Sequence, residues 1–99
     1  MPIIRHKHAA NYTVVPNEIL RNKTLSLRDI GLLCYLLSLP DDWEFSILGL
    51  TAVLPHDGRD AIAASVKHIQ EAGYLQYDRP RGKNGRIGKV IWIVSDTPM

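Results

Sequence analysis

The most distinctive chemical feature of this sequence is a cluster of basic residues near its C-terminus. Residues 79–89 hold five of the twelve Lys and Arg residues and no acidic residue. These five are Arg79, Arg81, Lys83, Arg86 and Lys89. Three glycines and a proline in the same stretch predict a loop with no core of its own. Clustered positive charge indicates a polyanionic partner better than the total charge does, although a charge run can also be a simple solvated loop.

The other residues that could do chemistry indicate neither a catalytic nor a metal site. The four histidines, His6, His8, His56 and His68, have no Cys or Glu spaced to complete a metal site with them. Cys34 lies in an apolar segment without a His and an acid placed to activate it, which favours a core role. No glycine-rich phosphate loop precedes a helix. We therefore expect no cofactor, no metal and no enzymatic activity.

Size and composition predict one small globular domain. The 99 residues are 45% hydrophobic and 22% charged, with a formal net charge of +2, which is typical of globular proteins. Residues 1–9 are expected to be a loosely held tail and residues 10–95 the domain. The longest apolar segment, residues 30–39, is too short to span a bilayer, and the N-terminus lacks the pattern of a secretory leader. We expect a cytoplasmic protein without a membrane partner.

Local signals in the first half of the chain predict a strand and two helices. Residues 11–15 are β-forming, which predicts an edge strand, and residues 16–20 begin with a proline that can open a short helical turn. Ser26 and Asp29 form a capping-box pattern at the start of the next helix, and Pro40 ends it. This helix is apolar almost all round, so we expect it to be central or to lie in a subunit interface.

Two further helices are expected before a pair of strands. Ser46 caps a third helix, which ends at Pro55 and whose expected apolar face is Ile47, Leu50, Val53 and Leu54. Asp57 is the expected N-cap of a fourth helix over about residues 58–72, which ends at Gly73. The inner face of this helix comprises Ile62, Val66 and Ile69. Its outer face comprises Arg59, Asp60, Ala63, Ala64, Lys67 and Glu71, with His68 at the edge. Residues 74–78 and 89–94 are expected to be strands.

This order of elements predicts a winged helix-turn-helix in the α+β class. It has about four helices and a small antiparallel sheet, formed by the N-terminal strand and the C-terminal wing hairpin. In such a fold the second helix of the motif, here residues 58–72, enters the DNA major groove. The expected DNA contacts are Arg59, Asp60, Ala63 and Lys67 on this helix. On the wing, residues 79–89, they are Arg79, Arg81, Lys83, Asn84, Arg86 and Lys89.

Three segments of the chain resemble a bacterial helix-turn-helix family. They are VPNEILRNKTLSLRDIGLLCYLLSLPDDWEFSILGL, DGRDAI and HIQEAGYL. Over residues 12–94 the pattern is similar to the N-terminal winged-helix domains of phage replisome organisers, plasmid replication initiators and related mobile-element proteins. SLPDDWEFS is the more specific element, whereas EAGYL recurs in many winged helices. The resemblance implies DNA binding, often with dimerisation, in a bacterial or phage setting, and a second, C-terminal domain often follows.

Two interpretations of function remain open from the sequence. In the first, a homodimer binds double-stranded DNA in replication initiation or transcriptional control. Its base specificity would be modest, because Ala63 and Ala64 occupy positions where Arg, Asn or Gln would contact bases. In the second, the chain is an interaction or oligomerisation module for replisome or regulatory proteins. The small Ala63–Ala64 patch, the acidic segment 41–44 and the apolar second helix favour this alternative.

Overall fold

The structure is a computed structural model that describes residues 2–3, 11–40, 46–78 and 91–99. Within these ranges the chain is a small α+β fold of four helices and one two-stranded antiparallel sheet. The helices are α1 (Asn17–Leu20), α2 (Leu27–Leu37), α3 (Ile47–Val53) and α4 (Arg59–Glu71). The strands are β1 (Leu75–Asp78) and β2 (Ile91–Val94). Four helices followed by a strand pair is the predicted order except for the expected strand over residues 11–15. Of the predicted tail, residues 1–9, only 2–3 are described.

Helix α2 begins at the predicted capping box. The Ser26 hydroxyl accepts a hydrogen bond from the Asp29 backbone N–H at 3.1 Å, and the Asp29 carboxylate accepts one from the Ser26 N–H at 3.0 Å. Two N–H groups that would otherwise lack helical partners are thereby satisfied. Leu25 before the cap is buried, and Ile30 in the first turn packs against the core; these are the two positions of a hydrophobic staple.

Helix α4 ends at the predicted glycine. Gly73 has φ +93°, a conformation that side chains with a Cβ rarely adopt. The Gly73 N–H donates to the Gln70 carbonyl at 3.1 Å and the Tyr74 N–H to the Ile69 carbonyl at 3.0 Å, which together form a Schellman motif. The chain therefore turns sharply, and Tyr74 and Leu75 enter the core at the start of the sheet.

Helix α4 lies at the centre of the fold, in contact with α2, α3 and β1. Its predicted inner face is confirmed, since Ile62, Val66 and Ile69 are buried. The remaining buried hydrophobic residues lie in or next to the other helices and at the start of β1. They are Ile19, Leu25, Leu32, Leu33, Leu36, Leu50, Tyr74 and Leu75. Val53 was expected on the apolar face of α3 but is 57% exposed, because a seven-residue helix turns only one narrow stripe toward its neighbour.

The predicted N-terminal strand is wrong. Residues 11–15 form no strand, and the sheet of the described residues consists of β1 and β2 alone. Asn11 has φ +63°, and the side chains of Tyr12 and Val14 are more than three-quarters exposed. The β-forming composition of this segment is insufficient because a strand also needs a partner with free hydrogen-bonding groups and a face to bury. Helix α1 follows directly after Pro16.

Candidate nucleic-acid interface

The outer face of α4 is exposed as predicted, except at Ala63. Arg59, Asp60, Ala64, Lys67 and Glu71 are exposed, and Ala63 is half-buried. The side chains at the centre of the face, Ala63 and Ala64, are small, so another surface can approach the helix backbone closely. Its two basic and two acidic side chains cancel formally, and the face alone therefore attracts a polyanion only weakly.

The start of α4 differs from the sequence prediction in its capping residue. Gly58, not Asp57, is the N-cap, and no side chain caps this end of the helix. The Asp57 carboxylate instead accepts a hydrogen bond from Nε of Arg28 at 3.1 Å and forms an exposed ion pair with it. The Asp57 carboxylate, which the local sequence assigns to the cap of α4, therefore pairs with Arg28 on α2 instead. Arg59 lies immediately inside α4, with Asp60 in its first turn.

A buried carboxylate links α2 to α4. Asp29 is 2% exposed, and each of its carboxylate oxygens lies 3.1 Å from Nδ1 of His68. The His68 side chain is 52% exposed, so its ring spans from the buried carboxylate to the surface beside the outer face of α4. This pair could not be predicted from local sequence. The sequence pattern places Asp29 in the capping box and His68 at the helix edge, and no local spacing connects two residues 39 positions apart.

The environment of Asp29 keeps the carboxylate charged. Burial raises the pKa of this carboxyl, and hydrogen bonds from the Ser26 backbone and from the Ser65, His68 and Ser26 side chains lower it. The hydrogen bonds together outweigh burial, so the pKa lies below its ordinary value. The negative charge of Asp29 is thus held at the N-terminus of α2, where the helix dipole also favours it.

The two strands fix where the basic stretch 79–89 joins the fold. β1 and β2 pair in antiparallel register, with Leu75 opposite Val94 at one end and Asp78 opposite Ile91 at the other. Residues 79–90 therefore connect the Asp78–Ile91 end of the strand pair. The predicted wing contacts lie outside the described residues. They are Arg79, Arg81, Lys83, Asn84, Arg86 and Lys89.

A groove opens between α2, α4 and the connection from α3. Its volume is about 360 Å³. Its apolar lining includes Leu27, Leu32, Tyr35 and Leu54. Leu27, the first residue of α2, is 90% exposed. Sequence analysis expected α2 to be central or at an interface, and the buried Leu32, Leu33 and Leu36 show that one face is central.

The His, Cys, Asp and Glu side chains of the described residues form no candidate metal site. No three or more of them are placed to hold a metal ion. Burial raises the pKa of the Cys34 thiol, which favours the unreactive protonated form at neutral pH. None of the described helices has the length and apolar character needed to cross a membrane.

Comparison of the chain with models of known families, with curated proteins and with solved structures found no significant match. The proposals below therefore depend on the residues and geometry of this chain.

Proposed function

We propose that this chain is a DNA-binding winged-helix domain that acts in replication initiation or transcriptional control of a bacterial chromosome, phage or mobile element. The observation that carries the proposal is the outer face of α4. This face has small alanine side chains at its centre and carries the exposed basic residues Arg59 and Lys67. The helix follows a short connection from α3 and precedes an antiparallel strand pair whose connection carries five basic residues. Helix, turn, helix and basic hairpin in this order are the parts of a winged helix-turn-helix.

In the proposed complex α4 lies in the major groove. Arg59, at the N-terminal end of the helix, donates to guanine, and Asp60 accepts from the N4 amino group of cytosine. The small side chains of Ala63 and Ala64 allow close approach, and Lys67 contacts a phosphate. Because the face carries few side chains that can distinguish bases, we expect its sequence specificity to be modest.

We assign most of the affinity for DNA to the basic stretch 79–89. The outer face of α4 has no net formal charge, whereas this stretch has a formal charge of +5. Contacts from it to the phosphate backbone position a protein on the duplex without distinguishing sequence. A homodimer would double these contacts and would match a site with two-fold symmetry. The cytoplasm of a bacterial cell is the compartment where such a partner lies.

Titration of a labelled duplex with the purified chain, followed by fluorescence anisotropy at several salt concentrations, tests the proposal. About four phosphate contacts give a slope of log K against log salt of about −3 to −4. Micromolar binding with such a slope supports the proposal. A folded protein that does not bind the duplex at low salt contradicts it.

The second candidate function is an interaction or oligomerisation module of a replisome or regulatory complex, with little DNA contact. The observation that favours it is the exposed Leu27 beside the groove of α2 and α4, since apolar groups at a groove often contact another protein. This function predicts self-association that is insensitive to loss of the basic residues in 79–89. Light scattering that finds a monomer at all concentrations would count against self-assembly.

A further inference from the structure

A histidine at the edge of the outer face of α4 is held in place by a buried carboxylate. Nδ1 of His68 lies 3.1 Å from each carboxylate oxygen of Asp29, which is 2% exposed. A charged carboxylate only accepts hydrogen bonds, so Nδ1 carries a hydrogen and donates it. The His68 side chain is nevertheless 52% exposed. One side of the ring is therefore fixed by the core, and the other side reaches solvent.

The second ring nitrogen of His68 is available to a ligand. The ring edge opposite Nδ1 contains Nε2, which has no hydrogen-bond partner among the residues that the structure describes. In a neutral ring Nε2 accepts a hydrogen bond, and in a protonated ring it donates one. A phosphate oxygen only accepts hydrogen bonds at neutral pH. Contact between Nε2 and a phosphate group therefore requires the protonated ring.

The position of His68 on α4 matches the path of a DNA backbone in the proposed complex. His68 follows Ala64, at the centre of the outer face, by four residues, so the two side chains are neighbours along the helix. The major groove is about 12 Å wide and a helix with its side chains is about 10–12 Å in diameter. A helix that fills the groove has the centre of its outer face against base edges and its two sides against the backbones. His68 lies on the side next to α2, where a duplex presents phosphate.

The other ionisable groups around the ring are paired or opposite in charge. On α2 the neighbour of the buried carboxylate is Arg28, which is bound to Asp57. On α4 Lys67 precedes the ring by one position and Glu71 follows it by three. Of the other elements in contact with α4, α3 has no ionisable residue. Those of β1 are Tyr77 and Asp78. The buried carboxylate is the one charged group within hydrogen-bonding distance of the ring in the described residues.

We propose that His68, positioned by Asp29, is a phosphate-binding residue of the DNA interface and takes up a proton from solvent when DNA binds. Without that proton the pair carries the negative charge of Asp29 and repels a phosphate. With it the pair is neutral, and the ring donates from Nδ1 to the carboxylate and from Nε2 to the phosphate, so that each anion favours the charged ring. The inference rests on the proposed function, since DNA must dock on α4 for a phosphate to reach the ring. It makes duplex affinity depend on the protonation of one identified side chain.

A chain with a single histidine allows a direct measurement. The substitutions His6→Gln, His8→Gln and His56→Gln replace the other histidines, and the full chain is isotope-labelled in its remaining histidine. NMR follows the titration of the His68 ring from pH 5.5 to pH 8 for the free chain, with a duplex, and with inorganic phosphate at the same ionic strength. The duplex should move the midpoint upward by about one pH unit, the effect of one charge-assisted hydrogen bond. Inorganic phosphate should move it little, because no other contact holds the ion at the ring.

A second single-histidine chain controls for the general field of the bound DNA. It keeps His56, which is exposed in the connection from α3 to α4, and replaces the other three histidines with Gln. The account assigns His56 no contact with DNA, so its midpoint should move by less than about half as much as that of His68. Both chains are compared at the same salt concentration, because screening sets the size of the general effect.

The salt dependence of binding distinguishes a phosphate contact from a base contact. Anisotropy titrations at several salt concentrations are made at pH 6 and pH 8 on the chain that keeps His68 and on the same chain with His68→Gln, with circular dichroism to check folding. In the first chain the log–log slope should be steeper at pH 6 by up to about 0.9, the value for one phosphate. Its affinity should also rise by up to about tenfold more than that of His68→Gln between pH 8 and pH 6. His68→Gln should lose the added slope.

Three results would overturn the inference. The first is a His68 midpoint that does not move in the duplex-bound chain, which is decisive even if His68→Gln does not fold. The second is an equal movement for His56, or an equal movement caused by inorganic phosphate. The third is a slope increment that persists in a folded His68→Gln variant. Duplex binding retained in any of these cases leaves the proposed function standing, whereas a folded parent chain that binds no duplex contradicts both.

Discussion

Nδ1 of His68 lies 3.1 Å from both carboxylate oxygens of Asp29, so a half-exposed ring on α4 is hydrogen-bonded to a carboxylate that is itself almost completely buried. The same carboxylate caps α2. One side chain therefore fixes both the start of α2 and its position against α4. Because α4 carries the candidate interface, the Asp29–His68 contact connects the stability of the fold to the placement of that interface.

Asp29→Ala is expected to lower the free energy of unfolding by about 2–3 kcal/mol. The substitution removes half of the capping box, which contributes about 1 kcal/mol, and removes the acceptor of the buried Ser65 side chain and of the His68 ring. Asp57→Ala is the matched control, because its exposed ion pair with Arg28 should contribute less than about 1 kcal/mol. Urea unfolding at pH 7 measures both. Equal losses for the two variants would show that the buried carboxylate has no special role.

The lowered pKa of Asp29 predicts a specific dependence of stability on pH. A carboxyl whose pKa is lower in the folded than in the unfolded protein stabilises the fold at pH values above its unfolded pKa, which is 3.8 for Asp29. That contribution is lost as pH falls through the folded value. The difference in unfolding free energy between the parent and Asp29→Asn should therefore be constant from pH 7 to about pH 5 and should shrink below about pH 4. Urea unfolding of both proteins at a series of pH values gives this difference. A difference that stays constant down to pH 2 would contradict the prediction.

Two glycine substitutions are expected to change stability in opposite directions. In Gly73→Ala the new Cβ meets Pro98 and Met99 atoms at 3.3 Å, and the residue must keep φ +93°, so a loss of about 1–2 kcal/mol is expected. In Gly31→Ala the Cβ has no heavy atom within 4 Å in the interior of α2, and a gain of up to about 1 kcal/mol is expected from higher helix propensity. Thermal unfolding of both variants gives the sign of each change in stability. Changes of the same sign would contradict the role assigned to Gly73 at the end of α4.

Local signals were sufficient for the helix ends, whereas contacts between distant residues were not predictable. Ser26 and Gly73 act within four residues of themselves, so their roles can be recognised from sequence spacing. The expected cap at Asp57 failed because Arg28, 29 positions earlier, binds its carboxylate. The expected strand over residues 11–15 failed because strand formation depends on a neighbour that composition does not specify.

The candidate interface could be predicted in part for the same reason. The exposed face of α4 follows from a helical repeat, and the residues predicted to be outside are exposed except for the half-buried Ala63. Tyr77 and Trp92, whose ring centroids are 5.3 Å apart, lie on two strands separated by twelve residues, so their contact depends on a register that composition does not specify.

Removal of two basic residues from the stretch 79–89 should change the salt dependence of duplex binding. Lys83→Ala with Arg86→Ala is expected to reduce the magnitude of the log–log slope by up to about 2, because each lost phosphate contact removes nearly one unit. The matched control is Arg21→Ala with Lys23→Ala, which removes the same charge from exposed positions around the end of α1. Anisotropy at four or more salt concentrations gives both slopes. A slope unchanged by the first pair would exclude these residues from the interface.

The most direct test of the central claim, that DNA docks on the outer face of α4, is the duplex affinity of Ala64→Glu. Ala64 is exposed at the small centre of that face, and a carboxylate there would meet the DNA at close range without disturbing the core. Asn17→Glu adds the same charge at an exposed position on α1 and serves as the control. The account predicts that Ala64→Glu weakens duplex binding at least about tenfold, the effect of roughly 1.4 kcal/mol, while Asn17→Glu stays within about twofold of the parent. Two folded variants with equal affinities would contradict it.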